Sequence, residues 1–383
     1  MSLITDTAAL ASFCDGLKST EFVTVDTEFM RETTYWAKLC LIQVSGLDDA
    51  RCIDPLAPGI DLGPLYELLQ NPSVLKVFHA GRQDLEIFYT ATGTVPKPVF
   101  DTQIAAMVCG FGDQVGYETL VSRLANGKLD KSQRFTDWSR RPLTEKQIQY
   151  ALGDVTYLRT VYEKLNSKLE RTGRKSWLDE EDAVLADPAT YRVEPREAWR
   201  RIRARTRSPK MLAVLRELAE WRELTAQEVD MPRQRVAKDD ALLELAASMP
   251  KSADDIKRSR VAKSLASGKY VDGVLQAIER GSKIPDADRP KVDSNGREEQ
   301  APKAVVELLK LLLKTKSETH DVAQRLIASS DDIEAMAVSD TADVRALHGW
   351  RRELFGEDAL QLKHGHLAIG LSRDGKKVEI FKR

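Results

Sequence analysis

The sequence is poor in cysteine, in net charge and in long apolar runs. It has four cysteines in 383 residues, Cys14, Cys40, Cys52 and Cys109, and none forms a CxxC pair. That usage argues against a zinc site and for a reducing, cytoplasmic setting. Cys40 lies in an apolar run and reads as a small hydrophobe. Formal net charge is -1, which excludes a globally basic nucleic-acid binder, so any polyanion site must come from local patterning. The best apolar run, Val305 to Leu313, is interrupted by Glu307 and Lys310, so no membrane span or membrane partner is expected. Met1 to Gly16 has no basic n-region and no unbroken apolar stretch, so no secretory signal is expected. What is present is 42% hydrophobic and 31% charged residues, the composition of a soluble chain with two or three domains.

The first half alternates strand and helix signals. Thr5 or Asp6 can cap a helix through Leu17. Val23 to Phe29, Lys38 to Ser45 and Arg51 to Asp54 read as a meander of three strands. Leu62 to Leu69 has helical spacing, Val74 to Phe78 is strand-like, and Gly81 opens a helix over Arg82 to Tyr89. Pro98 to Phe100 is a brief strand before a helix that Asp101 caps. Thr144 and Gln147 form a capping-box pattern for a helix through about Leu165. The pattern predicts an α/β fold with a mixed sheet. From about Pro195 strand signals vanish. Glu197 to Arg207, Pro209 to Thr225, Asp239 to Ala247 and Val261 to Arg280 read as helices. A polar stretch, Gly281 to Lys303, reads as a linker. Ala304 to Lys314, Thr319 to Ala328, Ile333 to Ala337 and Thr341 to Phe355 form a second helical block of similar length, which suggests a duplicated module. Asp374-Gly375 between His366–Ser372 and Val378–Phe381 predicts a C-terminal β-hairpin.

Chemistry centres on Val23-Thr-Val-Asp26-Thr-Glu28-Phe29. Strand side chains alternate, so Asp26 and Glu28 leave from one face. Two acids on a core-like strand either bind a hard divalent cation or sit solvated at an exposed strand end. Asp84 opens a helix just after a strand, the end of an α/β sheet where ligands bind; the helix macrodipole alone would also favour it. Tyr150 and Asp154 stand a turn apart on one helix face, joined by small or aliphatic residues. Gly153 costs that helix about 1 kcal/mol relative to alanine, which a close backbone or ligand approach would explain. The alternative is a surface acid beside a core tyrosine. His79 reads as a structural histidine beside Asp84. Gln43, inside an apolar strand, is expected to satisfy a buried hydrogen bond. Asp137 and Trp138 precede the Tyr150 helix and either touch substrate or, for Trp138, fill the core.

DTEF followed by LCLIQVS, then FHAGRQDLEIF, then YALGDVTYL, resemble the three exonuclease motifs of the DEDD superfamily, and Tyr150 marks its tyrosine-type branch. FDTQIAA and FTDWSRRPLT narrow the resemblance to the bacterial ribonuclease D family. It is close over Glu21 to Tyr162, with no departure at an expected catalytic position. The helical half is similar to paired helical domains of the HRDC type. The resemblance implies a ribonuclease H-like exonuclease domain followed by two all-α HRDC-like domains and the short hairpin. It implies a 3′→5′ exoribonuclease using two divalent cations, Mg²⁺ or Mn²⁺. Asp26 would bridge both ions, Glu28 and Asp154 would hold the one that binds the attacking water, and Asp84 would support the other. Tyr150 would orient that water. Apart from the resemblance, Phe29 and Met30 follow the metal pair and are candidates to stack on or wedge against the terminal base, and His79 is a candidate substrate contact.

Arg192 to Lys210 holds eight basic and two acidic residues, a local charge of +6. Arg196, Arg200, Arg203 and Arg207 fall at helical spacing, which suits RNA phosphates or a solvated, acid-paired face. The expected division is 1–190 exonuclease, 191–210 basic connector, 211–282 first helical domain, 283–302 linker and 303–383 second helical domain. The expected substrate is RNA with a free 3′ end, tRNA precursors foremost, trimmed to 5′-mononucleotides by a monomer with no protein partner. A DNA exonuclease of the same superfamily and a non-catalytic RNA-binding scaffold are the rival readings.

Overall fold

The computed structural model describes residues 2–130, 132–204, 206, 208–260, 262–266, 268–290 and 301–383. They fall into two units. One takes the residues up to Glu28, Cys40–Tyr191 and those from 301 on; the other takes Phe29–Leu39 and the described residues from 192 to 290.

The first unit is built on six strands, β1 (Leu3–Ile4), β2 (Phe22–Met30), β3 (Lys38–Ser45), β4 (Ala50–Ile53), β5 (Leu75–Phe78) and β6 (Val99–Asp101). Their spatial order is β1-β4-β3-β2-β5-β6. β3 runs antiparallel to β4, whereas β2, β5 and β6 run parallel, so the sheet is mixed as expected. Thr24 of β2 pairs with Val77 of β5, and β5 ends at Phe78. β2 therefore overshoots its partner, and Asp26 and Glu28 lie on the overshoot. That is the carboxyl end of parallel strands, where an open sheet leaves a crevice.

The helices of this part are α1 (Thr7–Leu17), α2 (Gly63–Gln70), α3 (Arg82–Thr92), α4 (Thr102–Val108), α5 (Tyr117–Leu124), α6 (Glu145–Thr172) and α7 (Lys175–Leu185). Asp6 caps α1, Asp101 caps α4, and Thr144 with Gln147 form a complete capping box on α6. α6 outruns its expected end because its apolar stripe continues: Leu158, Val161, Leu165 and Leu169 are all buried. It stops where Gly173 takes φ +67°. β1 and α5 and α7 have no counterpart in the sequence reading; β1 is two residues long and carries no periodicity at all.

The second unit contains α8 (Pro209–Glu228), α9 (Arg233–Val236), α10 (Asp239–Ser248), α11 (Ala253–Lys257) and α12 (Val271–Lys283) around its own core of Leu215, Leu218, Leu242, Leu245, Val274 and Ile278. The expected helix Glu197–Arg207 is not formed over its described residues, Arg205 and Arg207 lying outside them. Pro195–Arg201 is a short 3₁₀ segment, and Ile202 is extended. Ser208 caps α8 and precedes Pro209, and both facts hold it out of helical geometry, so the chain must straighten first. The expected helix Val261–Arg280 is likewise broken, by Gly268 at φ +71°, and becomes helical only at Val271.

From 301 on the chain returns to the first unit as α13 (Lys303–His320), α14 (Gln324–Ile327), α15 (Ser330–Val338) and a helical run within 349–363. Thr319–Ala328 is not one helix: Asp321 takes φ +53° and ends α13. The expected helix Thr341–Phe355 is broken by Gly349 at φ +50° and helical structure then continues to Lys363. The linker expectation is shortened, because α12 reaches Lys283, and its 291–300 part lies outside the described residues. β7 (Leu367–Leu371) and β8 (Val378–Lys382) form the antiparallel hairpin, with Gly375 at φ +68° in the turn. Leu309, Ile327 and Phe355 share one continuous core with Val77, Phe100, Val161 and Leu165. No described helix is long and apolar enough to cross a membrane, and all four cysteines are buried.

Candidate active site

Three chain segments bring acids together. β2 supplies Asp26 and Glu28 from one face. α6 crosses that face, pinned where the Thr24 hydroxyl donates to the Val155 carbonyl at 2.7 Å, one residue after Asp154. Oxygens of Asp26, Glu28 and Asp154 then lie within 4.8 Å of one another. All three residues are partly buried. Tyr117 adds a second pin, its hydroxyl donating to the Gly153 carbonyl at 3.1 Å.

Asp84 arrives by a different route. Between β5 and α3 the chain turns through His79, Ala80 and Gly81, with Ala80 at φ +54°. The Asp101 carboxylate holds the turn by accepting from the Ala80 and Gly81 amides at 3.1 and 2.8 Å. A side chain at Gly81 would strike Phe78 at 2.5 Å, so the turn requires glycine. Asp84, buried in the first turn of α3, accepts a hydrogen bond from the Thr27 hydroxyl. It stands beside the trio and is not part of the convergence.

Electrostatics sets this cluster apart. Burial, then the Asp154 charge, pushes Asp26 well above the usual carboxylate range. Burial and the charges of Asp26, Asp154 and Asp84 push Glu28 up to about 10. Burial lifts Asp154 to about 7, and burial with the Asp26 charge raises Asp84. Among the described residues no lysine or arginine charge offsets these shifts. Like charges so close cannot all stay ionised without a counter-charge. A divalent cation is the natural one, since every donor is a carboxylate oxygen. Burial and the charges of Asp154, Glu28 and Asp26 raise the Tyr150 phenol, so it keeps its proton at neutral pH. Trp138, almost fully buried, packs its ring 5.9 Å from that of Tyr150.

The remaining expected residues are placed less closely. Phe29 and Met30 follow Glu28 at the end of β2 and are partly exposed. His79 spends its Nδ1 on the Thr102 hydroxyl at 3.0 Å and packs on Tyr117. Arg196 and Arg200 lie in the 3₁₀ segment, Arg203 lies beyond it, and Arg207 is outside the described residues, so the expected helical stripe is not formed. Arg196 pairs with Glu217 and Glu220 at 3.9 and 3.8 Å, and Arg200 pairs with Glu197. Two further expectations change. Gln43 is fully buried with no partner for either amide atom. Gly153 is not crowded by backbone: an added methyl would meet only Leu129, at an ordinary 3.6 Å.

Sequence reasoning missed Thr27, Tyr117 and the Arg141–Asp54 fork. Arg141 donates to both Asp54 oxygens at 2.7 and 2.6 Å and to the carbonyls of Cys40, Trp138 and Arg140. It thereby ties the segment before α6 to the sheet. The two ends of that fork lie 87 residues apart, and nothing local marks either one. Thr27 was visible, one place from each acid, but it points to the opposite strand face and so escaped a reading of the acid face.

Comparison with known proteins gives concordant matches. A 3′-5′ exonuclease family model matches residues 1–170, and an HRDC domain model matches residues 211–278. The chain is 52% identical over 384 residues to ribonuclease D of Jannaschia sp., spanning 99% of both chains. It is 50% identical over 382 residues to ribonuclease D of Granulibacter bethesdensis, spanning 99% of this chain and 96% of that one. Among solved structures it resembles Escherichia coli RNase D, an exoribonuclease involved in structured RNA processing. That match has a TM-score of 0.80 and 32% identity, covering 95% of this chain and 98% of the other.

Proposed function

The chain belongs to the ribonuclease D family, and from that premise we propose how its residues carry out 3′→5′ exoribonuclease activity. The observation that carries the reading is the convergence of Asp26, Glu28 and Asp154 within 4.8 Å, with no lysine or arginine charge among the described residues to offset them. Asp26 would touch two divalent cations, Glu28 and Asp154 would hold one, and Asp84, held by Thr27, would support the other. Mg²⁺ and Mn²⁺ both suit the all-oxygen donor set. When bound, such a pair of ions would supply an activated water and charge stabilisation on the leaving 3′ oxygen.

The protein's own part is to hold geometry. Tyr150 keeps its phenolic proton and orients the attacking water by hydrogen bonding. Trp138 limits the swing of the Tyr150 ring. Phe29 and Met30, next along β2, contact the terminal base, as aromatic and apolar side chains do on single strands. His79 supports the site through Thr102 and Tyr117. Arg196, Arg200 and Arg203 add positive charge to the first helical domain and weakly favour phosphates. The division into 1–190, 211–282 and 303–383 follows the same reading, with 191–210 and 283–302 as connectors. The product is a 5′-mononucleotide, and tRNA precursors with 3′ extensions are the leading substrates.

The test is a 3′-extended tRNA precursor and a matched DNA strand, each incubated with Mg²⁺, with Mn²⁺ and with chelator, and products resolved by length. Metal-dependent stepwise shortening of the RNA from its 3′ end is expected. Internal cleavage, or equal digestion of DNA, would refute the reading.

A further inference from the structure

Phe135 is 91% exposed, the most exposed large apolar side chain among the described residues. It does not lie in a loose tail. Gln147, in the first turn of α6, donates to the hydroxyl of the neighbouring Thr136 at 3.4 Å. Three residues on from Phe135, Trp138 is buried against the Tyr150 ring. Six residues on, Arg141 fixes the chain to Asp54 and to the Cys40 carbonyl. The 136–141 stretch is thus fastened at three points, one of them against the Tyr150 ring, and it holds Phe135 out into water at its free edge.

Arg134 completes the feature. Its guanidinium carbon lies 5.3 Å from the centroid of the Phe135 ring, over the face. Its charge is also felt at Tyr150, where it acts against the acids. A flat apolar face with a guanidinium beside it, at the rim of a site that takes phosphodiesters, has the chemistry of a base-stacking platform on a single strand.

We propose that Phe135 and Arg134 form a subsite for RNA upstream of the cleaved nucleotide: the Phe135 ring stacks a base and Arg134 meets its phosphate. The acids take the terminal phosphodiester, and the remaining strand leaves past Tyr150 over this edge. The proposal rests on the exoribonuclease reading above and adds a substrate contact to it.

The test compares two substrates on the full-length chain. One is a single-stranded pentaribonucleotide; the other is the p-nitrophenyl ester of uridine 5′-phosphate, which has no upstream base. Phe135→Ala should raise KM for the pentanucleotide roughly tenfold with kcat nearly unchanged, and should produce no such rise with the ester. Phe135→Trp should restore the pentanucleotide KM, and its indole fluorescence should be quenched by the pentanucleotide in chelator. Arg134→Gln should flatten the salt dependence of pentanucleotide KM by about one phosphate contact. An unchanged pentanucleotide KM in Phe135→Ala, or an equal change on both substrates, overturns the subsite. If the unsubstituted chain cleaves neither substrate with metal, the exoribonuclease reading is what fails. The Phe135→Trp titration then judges the platform alone, and an absence of quenching overturns it.

Discussion

Glu223 in the first helical domain and the Asp26–Glu28–Asp154 trio are both withdrawn from water, and their surroundings treat the charge in opposite ways. Glu223 is fully buried, yet Arg233 donates to both its oxygens at 2.6 and 3.0 Å, and the Tyr35 hydroxyl donates as well. Burial alone would push Glu223 up, but the hydrogen bonds from Arg233 and Tyr35 outweigh it and hold the carboxyl below its usual value. Among the described residues the trio has no such arginine or tyrosine partner, and every member is shifted upward. The fold supplies a counter-charge where the carboxylate serves structure. It withholds one, among the described residues, at the trio proposed to hold an ion. Substitutions in the two regions should therefore change stability with opposite sign.

The sharpest break is at Asp26. Asp26→Asn should lower exonuclease turnover by several orders of magnitude, because on the proposed reading the carboxylate that would touch both ions loses its charge. The same variant should melt higher than the unsubstituted chain in chelator, since a repulsion has been removed. A single melting series with and without Mg²⁺, beside an activity assay, reads both. An active Asp26→Asn chain would sink the assignment.

Glu223→Gln should go the other way, losing about 2–3 kcal/mol in denaturant unfolding. That is less than for a fully buried pair, because the Arg233 side chain is 35% exposed. Tyr35→Phe should lose less, and a gain in either would erase the contrast.

pH offers a subtler test. A carboxyl whose folded pKa is raised holds a proton that the unfolded chain has already released. Stability then falls as pH rises between the ordinary value near 4 and the folded one. For Asp154 that window closes near 7 and for Glu28 near 10. In chelator the melting temperature should decline from pH 5 to pH 9, and the rise produced by added Mg²⁺ should grow over the same range, because the ion binds the deprotonated acids. A flat profile without metal would contradict the shifts. The smallest expected effect is at Gly153, where there is room for a methyl. Gly153→Ala should stabilise by up to about 1 kcal/mol with turnover kept; lost turnover would restore the idea of a ligand approaching that backbone.

Much of this was legible because it is local. The alternation of Val23 to Glu28 showed a strand with two acids on one face, and Thr144 with Gln147 showed where α6 starts. The residues were findable wherever strand or helix periodicity carried them. Long-range partnerships were not. Nothing near Tyr35 announces Glu223, 188 residues away, and nothing near Asp84 announces that Thr27 holds it. The helical half was read least well, because positive-φ residues such as Asp321 and Gly349 cut its periodic stretches. The arginine stripe failed for a related reason. Spacing of three or four residues marks a helix face only if the chain is helical, and Ser208-Pro209 straightens it.

The shared core has a consequence for how the molecule comes into being. Leu309, Ile327 and Phe355 pack in one core with Val161 and Leu165, and Trp350 stacks on Trp177 at 4.3 Å. A chain emerging from the ribosome exposes α6 long before those partners exist. The nuclease half must wait, with part of its apolar surface open, while about a hundred residues that build a different core are made. A gene shortened after codon 290 would leave the acids intact and still deny them a finished support.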